Sequence, residues 1–453
     1  MYGGPTVADL SAAWRRLRES LWFVPGLIVL AAIVLAVGMV ELSTAVDAEA
    51  LSRWPRVFGA GADGSRSMLS AIAGSMITVA GVTFSITMVA VTQASTQYTP
   101  RILRNFMRDR ANQTVLGVFV GIFAYCLVVL RTIRGGDEEP FVPSLAVLVG
   151  VLLAIVGVAV LIFFVHHIAT TLQASEIISR ITYETRHAVD RLYPEEAEEA
   201  VADAEPGRLQ AGVASGAWHS VAAKASGYIQ RVDVERLVRI GRDRDLLVHQ
   251  ERTAGEFVIA GRPIARFARH PSGLGAPPSW KASEVAEELA ARYVVHTYRT
   301  LDHDPGFGIR QLVDIALKAL SPGINDTTTA VTCVDYLGAM LVQLANRRIE
   351  IAHRDENGVL RVVADRPGFE DLLALAMDEI RLNAEGNVGV LTRQLEVLAI
   401  VAGVAPAARR RAVGKQVELA YEIAAETVAA GYDLDRVAAA ARRARAAAKE
   451  GDR

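Results

Sequence analysis

The chain has 453 residues, enough for about three domains of ordinary size. Its net charge of −2 excludes a strongly basic nucleic-acid-binding protein, and its two cysteines exclude a scaffold built on disulfides. Hydrophobic residues make up 51% of the chain, yet only 22 of its 98 charged side chains lie in residues 1–170. This uneven distribution predicts a membrane-embedded part followed by a more polar, globular part.

Four apolar segments are long enough to cross a lipid bilayer as helices. A span needs about 20 apolar residues, because a helix rises ~1.5 Å per residue across ~30 Å of hydrocarbon. Within a transmembrane domain at residues 1–170, the predicted spans are residues 21–40, 68–97, 111–130 and 141–165. The second span belongs to an uncharged run of 34 residues, which as one helix would be ~50 Å long. We therefore expect it to tilt strongly or to project its polar end beyond the membrane.

Arginines in the short connections predict the orientation of these spans. Arg101, Arg104 and Arg108 follow the second span at helical spacing, and three more arginines precede the first span. Because such residues stay on the cytoplasmic side, both termini are expected in the cytoplasm. The segment from Arg101 to Arg108 is either an ordinary basic anchor, which we prefer, or an interfacial helix that contacts anionic lipid or couples to a gate.

The second span carries a stripe of hydroxyl side chains on one helical face. Its members are Ser75, Thr78, Ser85, Thr92 and Thr96, with Val82 and Val89 completing the spacing of three to four residues. A polar stripe avoids lipid, so it should face either another helix or water. Three interpretations follow: helix packing, which is the commonest role of such residues, a water-lined path, or the binding of a small ligand.

The chain after the spans divides into three regions. Residues 171–215 are predicted to be an exit helix and a linker, residues 216–270 a small β-rich module, and residues 280–453 a helical cytoplasmic domain. The predicted fold class is therefore a membrane protein with a four-helix transmembrane region and an α+β cytoplasmic part, made of a small β-barrel or sandwich and a helical domain.

The β-rich module is predicted from short, alternating segments separated by turn residues. We expect strands at residues 226–232, 246–249 and 256–259, and a short helix at residues 234–240. The module resembles the barrel-sandwich hybrid of lipoyl domains and membrane-adaptor proteins. However, no lysine lies between Lys224 and Lys281, so no covalently attached cofactor is expected.

Two helices, predicted at residues 285–300 and 309–320, flank a polar loop in the helical domain. Candidate functional residues in this loop, the second helix and the following turn are Asp302, Phe307, Gly308, Asp314, Ser321, Pro322, Asn325 and Asp326. The turn has helix-stop and capping residues, and we expect structural roles for its polar groups. The alternative is a metal site, whose ligands would be His296, Asp302, His303, Asp304 and Asp326 if folding brought them together.

Several long motifs resemble a family of bacterial predicted membrane proteins, domain of unknown function twenty-two fifty-four. They lie at residues 84–86, 93–103, 226–230, 307–316 and 319–326. The resemblance implies a multi-pass protein of the bacterial inner membrane with a cytoplasmic domain, and it brings no activity or catalytic residues. Thr327 stands where the family pattern has proline, which weakens the pre-set first helical turn at that position.

Three functions fit these features. The first is a homo-oligomeric channel or transport-like protein, with the second span lining a path and the cytoplasmic domain gating it. The second is a membrane-anchored sensor or scaffold without transport activity. The third is a tethered enzyme using Asp302, His303 and Asp326, although no nucleophile elbow, P-loop or dinucleotide fingerprint supports it. Expected partners are the lipid bilayer and further copies of the chain, with no nucleic acid, no cofactor and no metal.

Overall fold

The chain folds into two compact units, Met1–Gln173 and Ala174–Arg453. The computed structural model describes residues 22–45, 61–97, 109–135, 141–171, 173–193, 218–270, 280–349 and 352–449. Each unit is treated separately below.

The described part of the first unit is helical. Its helices are α1 (Phe23–Ala45), α2 (Ala62–Gln97), α3 (Arg110–Thr132) and α4 (Ser144–Thr171). Each predicted span lies on one of them, and α2 continues through 36 residues without a break. Helix α3 packs against the other three, and Phe119 and Tyr125 on it are completely buried. The Tyr125 hydroxyl donates a hydrogen bond of 2.8 Å to the carbonyl of Ala146 on α4.

Two glycines allow α1 and α3 to approach closely. A Cβ added at Gly117 would lie 2.9 Å from the Cα of Pro25, which is backbone and cannot move aside. A Cβ at Gly121 would lie 3.4 Å from the Cβ of Ala32. Small residues spaced four apart are typical of close contacts between membrane helices, where dispersion replaces the hydrophobic effect as the driving force.

The second unit mixes helices and strands. Its strands are β1 (His219–Ala222), β2 (Gly227–Val232), β3 (Leu246–Gln250), β4 (Phe257–Val258), β5 (Pro263–Arg269), β6 (Tyr293–His296), β7 (Ala352–Arg354) and β8 (Leu360–Ala364). Its helices are α5 (Ala174–Leu192), α6 (Val234–Asp243), α7 (Ala282–Ala290), α8 (Pro305–Leu320), α9 (Thr327–Ala345), α10 (Phe369–Asn383), α11 (Val388–Val404), α12 (Ala407–Thr427) and α13 (Gly431–Lys449).

The strands form a five-stranded sheet, in the order β1-β5-β3-β8-β7, and a three-stranded sheet, in the order β4-β2-β6. All pairs are antiparallel except β3 with β8, which is parallel. The larger sheet takes β7 and β8 from residues 352–364, outside the predicted β-rich module. Every residue of β3 and of β8 is buried, so each strand needs neighbours on both edges and both faces.

The helix predicted at residues 285–300 is wrong beyond Ala290. Helix α7 ends there, and β6 follows at Tyr293–His296. Val294 and Val295 pair with Arg231 and Ile229 of β2. Branched residues suit a pleated strand, and the long-range pairing with β2 decides between helix and strand at this position.

The helices of the second unit pack around α8 and α9. Helix α5 contacts both of them, α10 packs on α8, and α11 packs on α9, α12 and α13. Among the described residues, five helices are long and apolar enough to cross a membrane: α1 to α4 and also α9. The sequence analysis predicts only the first four.

Candidate functional site: the hydroxyl face and the Asp304 cavity

The hydroxyl stripe of α2 points away from the helices of its own unit. The buried side of α2 consists of Leu69, Ala73, Met76, Ala80 and Thr83, which are at most 7% exposed. Ser75, Thr78, Ser85 and Thr92 are all exposed in the described part of the chain. Successive helical residues turn by about 100°, which places the stripe opposite the buried side. The side chain of Thr96 lies outside the described residues.

Two hydroxyls of this stripe are already satisfied by the helix itself. Thr78 Oγ1 donates to the Gly74 carbonyl at 2.8 Å, and Thr92 Oγ1 donates to the Met88 carbonyl at 2.9 Å. Beside the stripe, a Cβ added at Gly74 or Gly81 would meet no described atom within 4 Å. We name Gly74, Ser75, Thr78, Gly81, Ser85 and Thr92 the hydroxyl face. It is small, weakly polar and uncovered by the described part of its own chain.

Arg101, Arg104 and Arg108 lie outside the described residues, but the next residue ties two helices together. Asp109 caps α3 by accepting a hydrogen bond of 2.9 Å from the amide of Ala111. Its other carboxylate oxygen lies 2.7 Å from Nε2 of His167, near the end of α4. The His167 ring also stacks on Phe163, with 5.5 Å between ring centroids. The basic segment therefore leads directly into a fixed junction between α3 and α4.

In the second unit, Asp304 organises the loop before α8. It is 8% exposed and caps the helix by accepting a hydrogen bond of 3.1 Å from the amide of Phe307. Arg299 donates to its carboxylate through Nε at 2.8 Å and Nη2 at 2.7 Å, and the Arg299 guanidinium lies 4.9 Å above the Phe307 ring. Burial nevertheless raises the pKa of Asp304, because the loss of solvation exceeds the effect of Arg299.

Two glycines are required by this arrangement. Gly255 has φ +92°, and a Cβ there would lie 2.2 Å from Oδ2 of Asp304. Gly308, in the first turn of α8, faces α5, and its Cβ would lie 1.8 Å from Oγ1 of Thr185. Phe307 and Gly308 of the sequence motif therefore have packing roles, one beneath Arg299 and one against α5.

A cavity of about 780 Å³ opens beside Asp304, and we name it the Asp304 cavity. It is lined by the end of α5, the ends of β2 and β3 with the loops that follow, the loop before α8, β7, and the segment from β8 into α10. The charged and imidazole groups along its wall are Arg191, Arg231, Asp233, Glu235, Glu256, Arg299, His303, Asp304, His353, Arg366 and Asp371. Three helices, α6, α8 and α10, begin at this wall.

Both histidines of the wall hold their protons weakly. Burial, with Arg366 nearby, lowers the pKa of His353 to about 4. Burial also lowers the pKa of His303. The positive charges of Arg231, Arg191 and Arg366 lower this pKa further, whereas the negative charge of Asp302 raises it. Three arginines acting on one imidazole indicate a positive electrostatic potential at this part of the wall.

The turn from Ser321 to Asp326 is structural and stands apart from the cavity. Ser321 ends α8, its carbonyl accepts from the amides of Ile324 and Asn325, and Asn325 has φ +48°. Asp326 caps α9 through the Thr329 amide at 3.0 Å and the Thr329 hydroxyl at 2.6 Å. These hydrogen bonds lower the pKa of Asp326. Pro322 lies inside the same turn.

The hypothetical metal site is not assembled. Among the described residues, no group of three or more histidine, cysteine or acidic side chains is placed to hold a metal ion. Asp304 and Asp326 cap successive helices and lie at opposite ends of α8, a helix about 24 Å long. Asp302 pairs with Arg191 at 3.6 Å, and His296 stacks on Tyr298. The tethered-enzyme hypothesis loses its proposed residues for the same reason.

Asp314 belongs to an ion network that joins α8 to α10. Arg310 donates to Asp314 through Nε at 2.7 Å and to Glu379 through both terminal nitrogens. Asp314 is 9% exposed, so its ion pair with Arg310 is largely shielded from solvent. Its place in the sequence motif is explained by this link between helices.

The sequence analysis missed most of the cavity wall. Arg191, Arg231, Gln250, His353 and Arg366 come from five separate elements, and no local pattern distinguishes them from ordinary surface or strand residues. One indirect signal is present: three strand ends, after Val232, Gln250 and Ala364, lead into this wall. Ligands commonly bind at the carboxyl ends of adjacent parallel strands, such as β3 and β8.

Comparisons with known proteins identify the family of this chain. A family model described as "Predicted membrane protein (DUF2254)" matches residues 18–400. The chain is 33% identical over 392 residues to uncharacterized proteins Rv1290c of Mycobacterium tuberculosis and Mb1321c of Mycobacterium bovis, which covers 84% of this chain and 72% of each relative. No solved structure matches. With most of its length inside the match, the chain belongs to the DUF2254 family of predicted membrane proteins.

Proposed function

We propose that this protein is a four-span bacterial inner-membrane protein that assembles into a homo-oligomer and conducts an ion or small solute along the hydroxyl face of α2. The cytoplasmic second unit gates the path. The observation that carries the proposal is the position of this face, on the side of α2 opposite its buried residues. Small and hydroxyl residues exposed on a membrane helix are typical of helix association or of contact with water.

The count of four spans rests on the packing of α9, the fifth apolar helix. Helix α9 contacts α5, α8, α10 and α11, and Leu337, Met340 and Leu341 on it are completely buried. Asp335 on α9 forms an ion pair with Arg393 of α11. A helix surrounded in this way, with a charged pair on one side, is a core helix of a globular unit.

The orientation rests on the arginines of the sequence. Arg101, Arg104 and Arg108 follow α2, and Asp109 begins α3, so this connection is the most basic short loop of the transmembrane part. Placing it in the cytoplasm puts the N-terminus and the whole second unit on the same side, because four spans return the chain to its starting side.

Oligomerisation is required because α3 and the three helices packed around it enclose no path in the described part of the chain. Tyr125, Phe119 and their neighbours fill the interior of the described bundle. A path along the hydroxyl face therefore needs α2 helices from several copies. The hydroxyls of Thr78 and Thr92 donate hydrogen bonds to carbonyls of their own helix. They can therefore face water or a second helix without leaving a buried donor that lacks a hydrogen bond.

The first prediction concerns assembly and flux. Purified protein in nanodiscs is expected to have a mass of two or more times 48.7 kDa and to pass ions in liposomes. The double variant Thr78→Leu with Ser85→Leu should dissociate the oligomer or reduce flux by about tenfold. Its bulky side chains push apart the close-packed helices, which costs more than about 1.4 kcal/mol of association free energy. Native mass spectrometry and a liposome flux assay measure these outcomes.

The matched control changes exposed apolar residues on the flanks of the same helix. Ile77→Leu with Ile86→Leu conserves volume at positions that are 42% and 40% exposed, and both readouts should stay at wild-type values. A wild-type protein that is monomeric in nanodiscs and passes no ions would rule out the conducting path.

A membrane-anchored sensor is the second candidate, and the Asp304 cavity is the observation that favours it. The cavity lies entirely within the second unit and has a volume in the range of small-molecule sites, about 300–1,000 Å³. Under this alternative, the leucine variants of the hydroxyl face keep the protein's cellular activity, whereas changes in the cavity wall remove it.

A further inference from the structure

We infer that the Asp304 cavity binds a soluble phosphorylated metabolite of nucleotide or sugar-phosphate size, which also carries a hydroxyl or amino group. The binding itself does not depend on conduction, so it goes beyond the proposed function. The inference rests on where the cavity lies, on the arginines along its wall, and on one buried acceptor.

The position of the cavity suits an anion. Helices α6, α8 and α10 all begin at its wall, and helix N-termini present amide hydrogens and a positive partial charge. At α6 and α8, the capping carboxylates of Asp233 and Asp304 bond to the third helical amide, that of Arg236 and of Phe307. The caps leave the amides of Val234 and Glu235 in α6 and that of Gly306 in α8, where Pro305 has no amide hydrogen.

Most acidic side chains of the wall already bind groups of this chain. Four of its five carboxylates bind groups of this chain: Asp233 caps α6, Glu256 pairs with Arg252 at 2.9 Å, Asp304 binds Arg299, and Asp371 accepts from the Gly368 amide at 2.8 Å. The fifth is Glu235, in the first turn of α6. Glu256 and Asp304 are each paired with an arginine, and Arg191, Arg231 and Arg366 supply further positive charge along the wall.

The arginines provide the binding charge. Arg231, at the end of β2, is exposed on the wall, and Arg191 pairs with the exposed Asp302 at 3.6 Å. Arg366 lies on the same wall, and all three act on His303. Guanidinium groups converging near helix N-termini are typical of phosphate recognition, because the planar fork matches two phosphate oxygens.

Gln250 is the independent observation that points to a ligand. Its side chain is completely buried, and Nε2 donates to the Arg252 carbonyl at 3.0 Å. In the described part of the chain, Oε1 has no hydrogen-bond partner, although Gln250 lines the cavity. Buried acceptors are nearly always satisfied, so this oxygen calls for a donor from a bound molecule. A carboxylate supplies none, and inorganic phosphate has only the P–OH of the anion itself, whereas a ribose hydroxyl or an amino group supplies a donor separate from the phosphate.

The size of the cavity agrees with a ligand that has both a phosphate group and a separate hydrogen-bond donor. About 780 Å³ accommodates a molecule of nucleotide size, and the wall has apolar surface from Leu192, Val232 and Leu375 for a ring. The ligand class is therefore a phosphate ester with a hydroxyl or amino donor rather than a simple anion.

Equilibrium dialysis on the full-length protein in mild detergent tests this inference. The probes are labelled AMP and ribose 5-phosphate, with adenosine and inorganic phosphate as partial analogues. At least one of the two phosphate esters should bind more than tenfold tighter than either partial analogue. Adenosine binding as tightly as AMP, or both esters failing to bind at millimolar concentration, would overturn the inference.

Two variants locate the binding. Arg231→Gln and Gln250→Met should each weaken binding of the phosphate ester by about tenfold, because one loses the phosphate contact and the other loses the acceptor. Arg231→Gln should leave the thermal midpoint unchanged, because Arg231 is exposed. Gln250→Met keeps the side-chain length but loses the hydrogen bond to the Arg252 carbonyl, so a small fall in its midpoint is expected and binding is measured well below that temperature. Arg262→Gln, an exposed arginine on the turn before β5 and away from the wall, is the matched control and should bind as the wild type does.

The same assay separates a soluble ligand from a lipid headgroup. Phosphatidylglycerol vesicles should leave binding of the labelled ester unchanged. If the vesicles displace it while unlabelled AMP and ribose 5-phosphate do not, the soluble ligand is excluded. Equal binding in Arg231→Gln, Gln250→Met and the wild type also contradicts the inference. None of these outcomes depends on ion flux. The binding result can therefore be interpreted even if the protein conducts no ions.

Discussion

Replacing Gly308 with alanine is expected to lower the thermal midpoint of the second unit by about 6–12 °C. The new Cβ would lie 1.8 Å from Oγ1 and 2.8 Å from Cβ of Thr185. Thr185 is completely buried, and its hydroxyl donates to the Ile181 carbonyl at 2.6 Å, so it cannot rotate away without losing that bond. Overpacking of this kind costs about 3 kcal/mol, which is equivalent to several degrees for a unit of this size.

Intrinsic tryptophan fluorescence of the full-length protein in detergent measures this midpoint. Trp218 and Trp280 lie in the second unit and report on its unfolding. Gly414→Ala is the matched control, because a Cβ there makes an ordinary contact at 3.8 Å with Ala448. In the middle of α12, that change should add about 1 kcal/mol through helix propensity. If Gly308→Ala and the wild type melt together, α5 does not pack on α8 as described.

The stability of the second unit is expected to fall as the pH drops from about 6.5 to 4, and His353 should account for most of the loss. Its pKa is about 4 in the folded protein, because it is buried beside Arg366, against about 6.5 in an unfolded chain. Between these values the unfolded chain binds the extra proton, so acid favours unfolding. A difference of that size corresponds to about 3 kcal/mol at the acid end of the range.

His353→Gln should flatten this pH dependence. His303 has a lowered pKa and contributes in the same direction, whereas the raised pKa of Asp304 stabilises the folded state as the pH falls. The difference between the variant and the wild type therefore isolates His353. Denaturant unfolding at pH 7, 6, 5 and 4 gives the curves, with His187→Gln, an exposed change on α5, as the control. Parallel curves for His353→Gln and the wild type would contradict the assignment.

The helices of the first unit were predictable because their signal is local. A run of about 20 apolar residues has few alternatives in a bilayer, where each backbone polar group must be satisfied inside its own helix. All four predicted spans coincide with helices, and the hydroxyl stripe was visible as a spacing of three to four residues. Which side of α2 carries the stripe was not visible, because that depends on how α2 packs against α3 and α4.

In the second unit, local sequence patterns do not predict every strand. Strands β2, β3 and β4 lie at predicted positions, but β6 falls within a predicted helix, and the sequence predicts none of β1, β7 and β8. A short apolar run such as Leu360–Ala364 is compatible with helix or strand, and its pairing with β3 decides the outcome across more than a hundred residues. Long-range pairing leaves no periodic trace in either partner taken alone.

By itself, the sequence determined that this chain has apolar helices long enough to cross a membrane, the approximate positions of four of them, and the motifs that place it among its relatives. These properties depend on composition and on neighbours along the chain. Only the tertiary structure decided that Asp304 caps a helix instead of binding a metal, that Gly308 meets Thr185, and that Gln250 lies in the wall of a cavity. These depend on contacts between distant segments, and such contacts form only when burial of the shared core brings those segments together.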